Sequence, residues 1–203
     1  MTAIHAVAVA PQGPAEGTPP RIVGIDVSLA STGAAGPGWI QRITSKGKRD
    51  DNLSTRWVRL RQIANTVEDL VAASEVLDVE QADLVVIEQP AYNTPGGSTH
   101  DRSGLWWLVV DRLRYLGIPV AEVSPTARAK YATGKGNAGK DAVLAAVVRR
   151  YGHLADIDGN DVADAFVLHA MGMDAAGHPL VAVPALNREA LAKVAWPQAV
   201  ASC

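Results

Sequence analysis

The hydrophobic residues of this chain fall into short continuous runs separated by longer amphipathic stretches. Apolar and β-branched residues fill 21–27 and 84–88, which have the length and composition of buried strands. Residues 28–38 are rich in Gly, Ser and Thr and are expected to turn the chain, so that 39–44 returns antiparallel. A further strand is predicted over 118–123.

Between these runs, apolar residues recur at helical spacing. One stripe has alternating intervals of four and three and predicts a helix packed on a sheet; its members are Leu53, Trp57, Leu60, Ala64, Val67 and Val71. Further helices are predicted over 105–116, 126–133, 140–151 and about 160–171. Residues 89–104 are expected to form a long loop, and loops above ~12 residues in a compact domain are commonly functional. Strands interleaved with helices indicate an α/β fold with parallel strand pairs.

Composition changes abruptly at both ends of residues 21–173, the region that contains the predicted strands and helices. Residues 1–20 hold several glycines and prolines without a sustained period, which predicts a flexible leader. Residues 21–173 form the predicted domain, and 174–203 a C-terminal extension. The opening residues lack a basic start followed by an apolar core, and no apolar run approaches ~20 residues, so we expect neither a secretory signal nor a membrane span.

Charge and cysteine content narrow the class of protein. The formal net charge is −2, which excludes a globally basic nucleic-acid binder. However, residues 42–61 carry seven Lys/Arg against two Asp, and residues 122–153 carry six against two acidic residues. A locally basic face is therefore compatible with the acidic total. Cys203 is the one cysteine, which excludes an internal disulfide and a cysteine-based zinc cluster and favours a cytoplasmic location.

Four carboxylates are the most informative polar residues. Asp26 lies within one apolar strand and Glu88 closes another, and a buried carboxylate without a partner costs several kcal/mol. Asp161 and Asp164 are three apart on a predicted helix, so both project from one face. Together they would form an oxygen-only pocket of the kind that Mg²⁺ or Mn²⁺ prefers. Two such ions ~3.5–4 Å apart can activate water and stabilise the leaving oxygen at a phosphodiester.

Each carboxylate also has a simpler explanation. Asp26 could cap a turn through Ser28, and Glu88 could form an ion pair at the end of its strand. Asp161 could favour the helix N-terminus through its charge, and Asp164 could be a solvated helix position. The occurrence of all four, in this order and on these elements, favours a shared site.

Four segments carry a resemblance to a known family. They read GIDVSLASTG, VVIEQP, GKGNAGK and DGNDVADAFVLHA, and lie between about residues 21 and 173. In these segments the chain resembles RuvC-type Holliday-junction resolvases of the RNase H-like superfamily, phage-type members included. The resemblance implies an RNase H-like α/β fold with a mixed central sheet flanked by helices.

The resemblance also implies an activity and the residues that perform it. The acidic set of the family falls on Asp26, Glu88, Asp161 and Asp164, which would hold two Mg²⁺ ions, with Mn²⁺ as a substitute. Lys140 ends the glycine-rich segment, where the family places a lysine near the scissile phosphate. The implied activity is a homodimeric endodeoxyribonuclease of recombination and repair, which resolves Holliday junctions by paired hydrolysis. We also expect dimer contacts on the strongly apolar helix 105–116.

Six residues are candidates for DNA binding: Tyr92, Arg128, Lys130, Lys135, Arg56 and Arg59. Tyr92 is the nearest aromatic residue to the position where the family inserts a side chain into the junction. Ala129 occupies the family's second basic position in an ungapped alignment, so its neighbours Arg128 and Lys130 are both retained. The two arginines of the first basic window lie off the apolar stripe and could follow a DNA backbone.

Other functions remain open at this point. The GIDVSLASTG segment also resembles a phosphate loop of actin-like kinases and ATPases, but those enzymes need two such domains and a second glycine-rich phosphate strand, which we do not find. A non-catalytic DNA-binding relative is expected to have lost one of the acids. A nuclease of the same fold acting on flaps, forks or RNA–DNA hybrids remains an alternative.

Overall fold

The computed structural model describes residues 18–73, 80–90 and 98–198. Its strands are β1 (Ile22–Asp26), β2 (Ser31–Gly36), β3 (Trp39–Thr44), β4 (Leu84–Glu88) and β5 (Val120–Val123). Its α-helices are α1 (Leu53–Val71), α2 (Thr99–Tyr115), α3 (Pro125–Thr133), α4 (Lys140–Tyr151), α5 (Asn160–Ala175) and α6 (Ala185–Arg188), followed by a 3₁₀ turn (Leu191–Lys193).

The strands form one mixed sheet in the order β3-β2-β1-β4-β5. The first three strands pair antiparallel, whereas β1, β4 and β5 run parallel. The predicted α/β fold with a mixed central sheet is therefore confirmed. Helices α1 and α2 cover one face of the sheet, and α3, α4 and α5 cover the other.

Two sequence predictions of local structure were wrong. Residues 28–38 do not simply turn the chain, because they contain β2, whose small residues pair with β1 on one side and β3 on the other. The helix predicted over 105–116 begins earlier, at Thr99. Of the predicted loop, 91–97 lies outside the described residues, as does 1–17 of the predicted leader.

Side-chain alternation along β1 and β4 decides which residues face which helices. Val23 and Ile25 pack in the cluster under α1 and α2, as do their β4 counterparts Val85 and Ile87. The intervening positions face the cluster that contains α5. Because successive strand residues point to opposite faces, the last residues of β1 and β4 also point towards α5.

Helix α5 lies unusually close to the sheet because two strand positions are glycine. A Cβ on Gly24 would come within 2.2 Å of the carbonyl oxygen of Ala165, and a Cβ on Gly33 within 2.1 Å of that of Asp161. Neither distance leaves room for any side chain. The helix is buried along most of its length, as expected for an element that is central to one core.

The apolar residues of α1 and α2 are not buried in the way that the sequence predicted. Leu53 and Trp57, at the start of the α1 stripe, are 78% and 53% exposed. Four apolar residues of α2 are buried against the sheet of the same chain: Leu105, Trp106, Val109 and Leu113. Trp107 on the same helix is exposed, and the expected dimer contacts on this helix stay a prediction.

The residues after α5 pack on the domain. Ala190 and Val194 are buried in the core cluster beside α3. Asn187 donates a hydrogen bond to the carbonyl oxygen of Tyr131 on α3 (2.8 Å). Across the parts of the chain that the structure describes, no helix is long and apolar enough to span a membrane.

Candidate active site

Two carboxylates lie side by side where adjacent parallel strands end. The β1–β4 register aligns Ile25 with Ile87, and Asp26 and Glu88 are the next residue on each strand. Both point to the α5 side of the sheet by alternation. The indole N–H of Trp106 donates to the backbone oxygen of Glu88 (2.9 Å), which holds the end of β4 against α2.

A third carboxylate reaches the same place from α5. Asp164 is 5% exposed and lies in the part of the helix that crosses the sheet. With Asp26 and Glu88 it lines an open cleft of about 300 Å³, which we call the acidic cleft. The other residues that line it are Val27, Ser28, Gln89, Pro90, Arg102, Trp106, Arg128 and Lys140. The structure thus brings three of the four predicted acids together around one cleft.

The three carboxylates are crowded enough to resist ionisation together. Burial, together with the charges of Glu88 and Asp164, raises the pKa of Asp26 to about 8, although Arg128 and Lys140 oppose the shift. Burial and the charge of Glu88 raise the pKa of Asp164 to about 6. Burial also raises the pKa of Glu88. A cluster of this kind is stabilised by a cation placed among its oxygens.

Arg128 supplies such a cation from within the protein. Its Nε donates to Oε2 of Glu88, and its Nη1 donates to Oδ1 of Asp164. The residue is 7% exposed, at the fourth position of α3, a helix capped by Ser124. The sequence suggested Arg128 as a candidate for DNA binding, and the structure places its guanidinium between two carboxylates of the acidic cleft.

Asp161, the fourth predicted acid, is held elsewhere. Its carboxylate accepts hydrogen bonds from Nε and Nη2 of Arg42 on β3 (2.6 and 2.9 Å) and from the hydroxyl of Ser31. Burial opposes ionisation of Asp161, but bonds from Arg42, Ser31 and the backbone N–H of Val162 lower its pKa to about 2. Asp161 is not among the residues that line the acidic cleft.

Lys140 is exposed at the rim of the acidic cleft, at the first residue of α4. The N-terminus of a helix offers unpaired N–H groups and a partial positive charge, both of which favour a phosphate. The glycine-rich segment before it turns at Gly134, whose φ of +84° is in the left-handed region that favours glycine. This arrangement places an exposed cation beside three anions without burying it.

The remaining DNA-binding candidates lie outside the acidic cleft. Arg56 pairs with Asp101 of α2, and Arg59 donates to the backbone oxygen of Leu29. Lys130 pairs with Glu189 (2.5 Å). Lys135 is exposed in the glycine-rich turn, and Tyr92 lies outside the described residues.

Sequence reasoning missed two residues of the acidic cleft. Arg102 and Trp106 both line it, and they are one helical turn apart on α2. Spacing of four puts two residues on the same side of a helix. The sequence did not indicate this pairing, because Arg102 falls in the predicted loop and Trp106 in the predicted helix. Their shared helix face becomes visible only because α2 begins at Thr99.

The arrangement of strands and helices is similar to that of solved structures of RuvC from Thermus thermophilus. One such structure matches 85% of this chain and 95% of the RuvC chain, with a TM-score of 0.54 and 17% sequence identity. A structure of the same protein in complex with a Holliday junction substrate matches 85% of this chain and 94% of its own, with a TM-score of 0.54 and 15% identity. This chain has the RuvC fold. No family model and no curated protein matches the sequence.

Within this RuvC fold, the acidic cleft has the donor chemistry of a site for a hard divalent cation. Its three carboxylates offer only oxygen ligands, and Arg128 already stands among them as a positive charge. The carboxylates are spaced around a guanidinium, however. Over residues 18–73, 80–90 and 98–198, no three acidic, histidine or cysteine side chains come close enough together to enclose an ion. The chemistry of the donor set thus suits a hard divalent cation, whereas the positions of the three carboxylates are those of a site occupied by a guanidinium.

Proposed function

We propose that this chain is a metal-dependent endodeoxyribonuclease that cuts branched DNA, with the four-way junction as its principal substrate. The observation that carries the proposal is the acidic cleft itself: Asp26, Glu88 and Asp164 meet at the ends of two parallel strands, with Lys140 at the rim. The RuvC fold supports it, since a RuvC of the same fold has been solved with a Holliday junction substrate.

In this proposal the three carboxylates of the acidic cleft hold Mg²⁺, with Mn²⁺ as a substitute. The bound ions would activate water and stabilise the departing oxygen of a phosphodiester. Asp161 is retained as a fourth candidate from the resemblance; to join the others, its carboxylate would have to release Arg42 and Ser31.

The protein's own groups position the phosphate. The ammonium of Lys140 and the N–H groups at the start of α4 would hold the scissile phosphate at the rim and offset its growing negative charge. Trp106 keeps the end of β4 in place through its bond to the Glu88 backbone. Arg102 lines the cleft from α2 and adds a second cation for the DNA backbone.

We predict that Asp164→Asn abolishes cleavage while junction binding survives. The change keeps the shape of the side chain but removes one anionic ligand, so cleavage should fall by roughly 10²-fold or more. Binding depends mainly on Lys/Arg contacts to phosphates and should persist. Cleavage is measured on labelled junction, flap, fork, hybrid and linear duplex DNA in Mg²⁺, and binding by gel shift in Ca²⁺. Asp156→Asn, an exposed change in the loop before α5, is the matched control.

The substrate panel also separates the alternatives. Preferential cutting of four-way junctions supports the proposal, whereas preferential cutting of flaps, forks or hybrids would keep the nuclease and replace the substrate. Binding without cutting of any of them would indicate a non-catalytic DNA-binding protein. Near-parent cleavage by Asp164→Asn would contradict the assignment of the acidic cleft as the catalytic centre.

We predict a different outcome for Lys140→Ala. This variant should cut roughly 10²-fold more slowly, because a cation near the developing charge is lost, yet its affinity for Mn²⁺ should not decrease because all three carboxylates remain. Lys140→Arg keeps the positive charge and should recover part of the rate. Loss of Mn²⁺ binding in Lys140→Ala would show that the lysine supports the metal site instead of the phosphate.

A homodimer is part of the proposal, since a two-fold dimer presents two symmetric sites to the two strands of a junction. The surface most suited to it includes the exposed Trp107 of α2, which is 64% accessible, and Tyr115, which is 90% accessible. Sedimentation velocity at micromolar concentration should show a dimer. A monomer at those concentrations, in a protein that still nicks junctions, would remove the paired-cut part of the proposal.

A further inference from the structure

Arg128 is the most enclosed cation of the acidic cleft. Its side chain is 9% exposed, compared with 15% for its partner Glu88 and 7% for its partner Asp164. It spans two elements, since Glu88 ends β4 and Asp164 lies on α5. Lys140, in contrast, is exposed at the rim.

Lys140 and Arg128 therefore differ in the bonds that each must break before it can bind a ligand. Lys140 can meet a phosphate at the rim while the rest of the cleft stays as it is. Arg128 uses two of its three guanidinium nitrogens, Nε and Nη1, to donate to Glu88 and Asp164, so turning the guanidinium away towards another anion would break these bonds. A buried guanidinium is stable only while it has such partners.

A divalent cation would draw on the same carboxylates. Glu88 and Asp164 are two of the three anionic side chains in the cleft, and each uses one oxygen to accept from Arg128. A guanidinium held between them also repels a second positive charge over a few ångströms, in surroundings where water screens weakly. The ion and the guanidinium therefore compete for the same two carboxylates.

We infer that Arg128 is the internal counter-ion of the DNA-free acidic cleft, and that it must release Glu88 and Asp164 before a divalent cation can bind. The inference rests on the proposed function only for the identity of the cleft as a metal site. A DNA phosphate provides the alternative partner for the released guanidinium, since arginine pairs with phosphate as readily as with carboxylate. Metal and DNA therefore bind cooperatively, with Arg128 as the residue that couples them.

The first test measures Mn²⁺ binding without DNA. Isothermal titration at pH 7.5 compares the parent protein with Arg128→Gln, which removes the charge and keeps most of the length. We expect Arg128→Gln to bind Mn²⁺ at least roughly tenfold more tightly, because the competing charge is gone. Arg149→Gln makes the same chemical change on the exposed last turn of α4 and should bind Mn²⁺ like the parent.

A second measurement covers the case in which Arg128→Gln folds poorly. Removing the internal cation leaves Glu88 and Asp164 unpaired, so the melting temperature in EDTA should fall. Mn²⁺ should then raise the melting temperature of Arg128→Gln by more than that of the parent. Arg128→Lys keeps a charge but loses the two-pronged geometry, and its affinity for Mn²⁺ should lie between those of the parent and Arg128→Gln.

The coupling is tested with a junction that carries non-cleavable phosphorothioate linkages. This DNA should increase the Mn²⁺ affinity of the parent, and the increase should be at least roughly threefold smaller in Arg128→Gln, which has no guanidinium to transfer. An equal increase in both proteins would overturn the coupling.

The outcomes separate this inference from the proposed function. If the parent binds Mn²⁺ without DNA as tightly as Arg128→Gln does, Arg128 is not a competitor and the inference is overturned, whatever the cleavage assays show. If Arg128→Gln gains Mn²⁺ affinity but the parent cuts none of the branched DNAs, the inference stands and the proposed function fails.

Discussion

At the scale of single residues, two of the buried ionisable groups on α5, Asp164 and His169, are stabilised in opposite ways. Asp164 has a cation within reach and lies at the edge of a cleft. His169, 2% exposed, lies deeper, and its Nδ1 is 2.8 Å from the carbonyl oxygen of Ile22. A ring N–H pointing at a carbonyl fixes the neutral tautomer with its proton on Nδ1. Burial accordingly lowers the pKa of His169 to about 4, despite this bond.

This environment predicts a pH dependence of stability. In the unfolded chain the histidine takes up a proton below pH ~6.5, whereas in the folded protein it does so only below about 4. The folded state therefore loses stability as the pH falls from ~6.5 to ~4, by up to about 3 kcal/mol for this residue alone. His169→Asn keeps a hydrogen-bond donor and does not titrate. Its unfolding free energy should therefore be lower than that of the parent at pH 7.5, and this difference should become smaller as the pH falls over that interval. Urea unfolding at pH 7.5, 5.5 and 4.5 measures it, and a constant deficit would contradict the prediction.

The sequence revealed some of these residues and concealed others for physical reasons. Asp26 and Glu88 could be found because a carboxylate is conspicuous in a run of apolar strand residues. The role of Arg128 could not, since an arginine on a short helix can turn to solvent or inwards, and only the position of α3 beside the cleft decides. Asp161 shares a helix face with Asp164, but its carboxylate accepts a hydrogen bond from Arg42, a residue distant in sequence whose proximity the sequence does not show.

At the scale of elements, the contact between α5 and the sheet depends on glycine. We predict that Gly24→Ala destabilises the protein by roughly 3 kcal/mol or more, or prevents folding, because the new methyl would lie 2.2 Å from the Ala165 oxygen and 2.3 Å from the His169 nitrogen. The backbone atoms of a buried helix cannot yield as a flexible side chain does. The expected loss is measured by urea or thermal unfolding.

Gly104→Ala is the matched control. Gly104 lies inside α2, and a Cβ there would meet nothing within 4 Å. Alanine is a better helix former than glycine, so this variant should be more stable than the parent by up to about 1 kcal/mol. Equal effects of the two substitutions would contradict the account of how α5 reaches the sheet.

Element prediction from sequence worked where the pattern was strong and failed where the tertiary structure needed small residues. Strands β1 and β4 are continuous apolar runs and were found. Strand β2 reads STGAAG, a composition typical of a turn, but small residues are what the close passage of α5 requires. Leu53 and Trp57 extend the α1 stripe in sequence, although both side chains are exposed in the structure.

At the scale of the whole molecule, an ion pair between Arg188 and the buried Asp174 ties the residues after α5 to the core. Nη2 of Arg188 lies 2.8 Å from Oδ1 of Asp174, and Nε of Arg188 donates to Oδ2 (3.1 Å); the Asp174 side chain is fully buried, whereas that of Arg188 is half exposed. The hydroxyl of Tyr131 on α3 also donates to Asp174 (3.0 Å). These contacts connect the predicted C-terminal extension to α3, the helix that carries Arg128.

We predict that Arg188→Ala costs about 2 kcal/mol of unfolding free energy, because it leaves a buried carboxylate without its cation. Lys193→Ala removes an exposed cation from the same segment and should change stability by less than about 0.5 kcal/mol. Chemical denaturation of both variants at pH 7.5 provides the comparison. Equal stability of the two variants would mean that the segment contributes little through this pair.

The residues that line the acidic cleft are far apart in the sequence, from Asp26 on the first strand to Asp164 on the last long helix. During synthesis, the first strand and its parallel neighbour leave the ribosome well before α5 does. A nascent chain that has reached residue 150 already holds two adjacent acids, yet it lacks the helix that brings in the third. The metal binding proposed for this cleft should therefore appear only once α5 has been synthesised, and a chain released before that should bind no metal at this place.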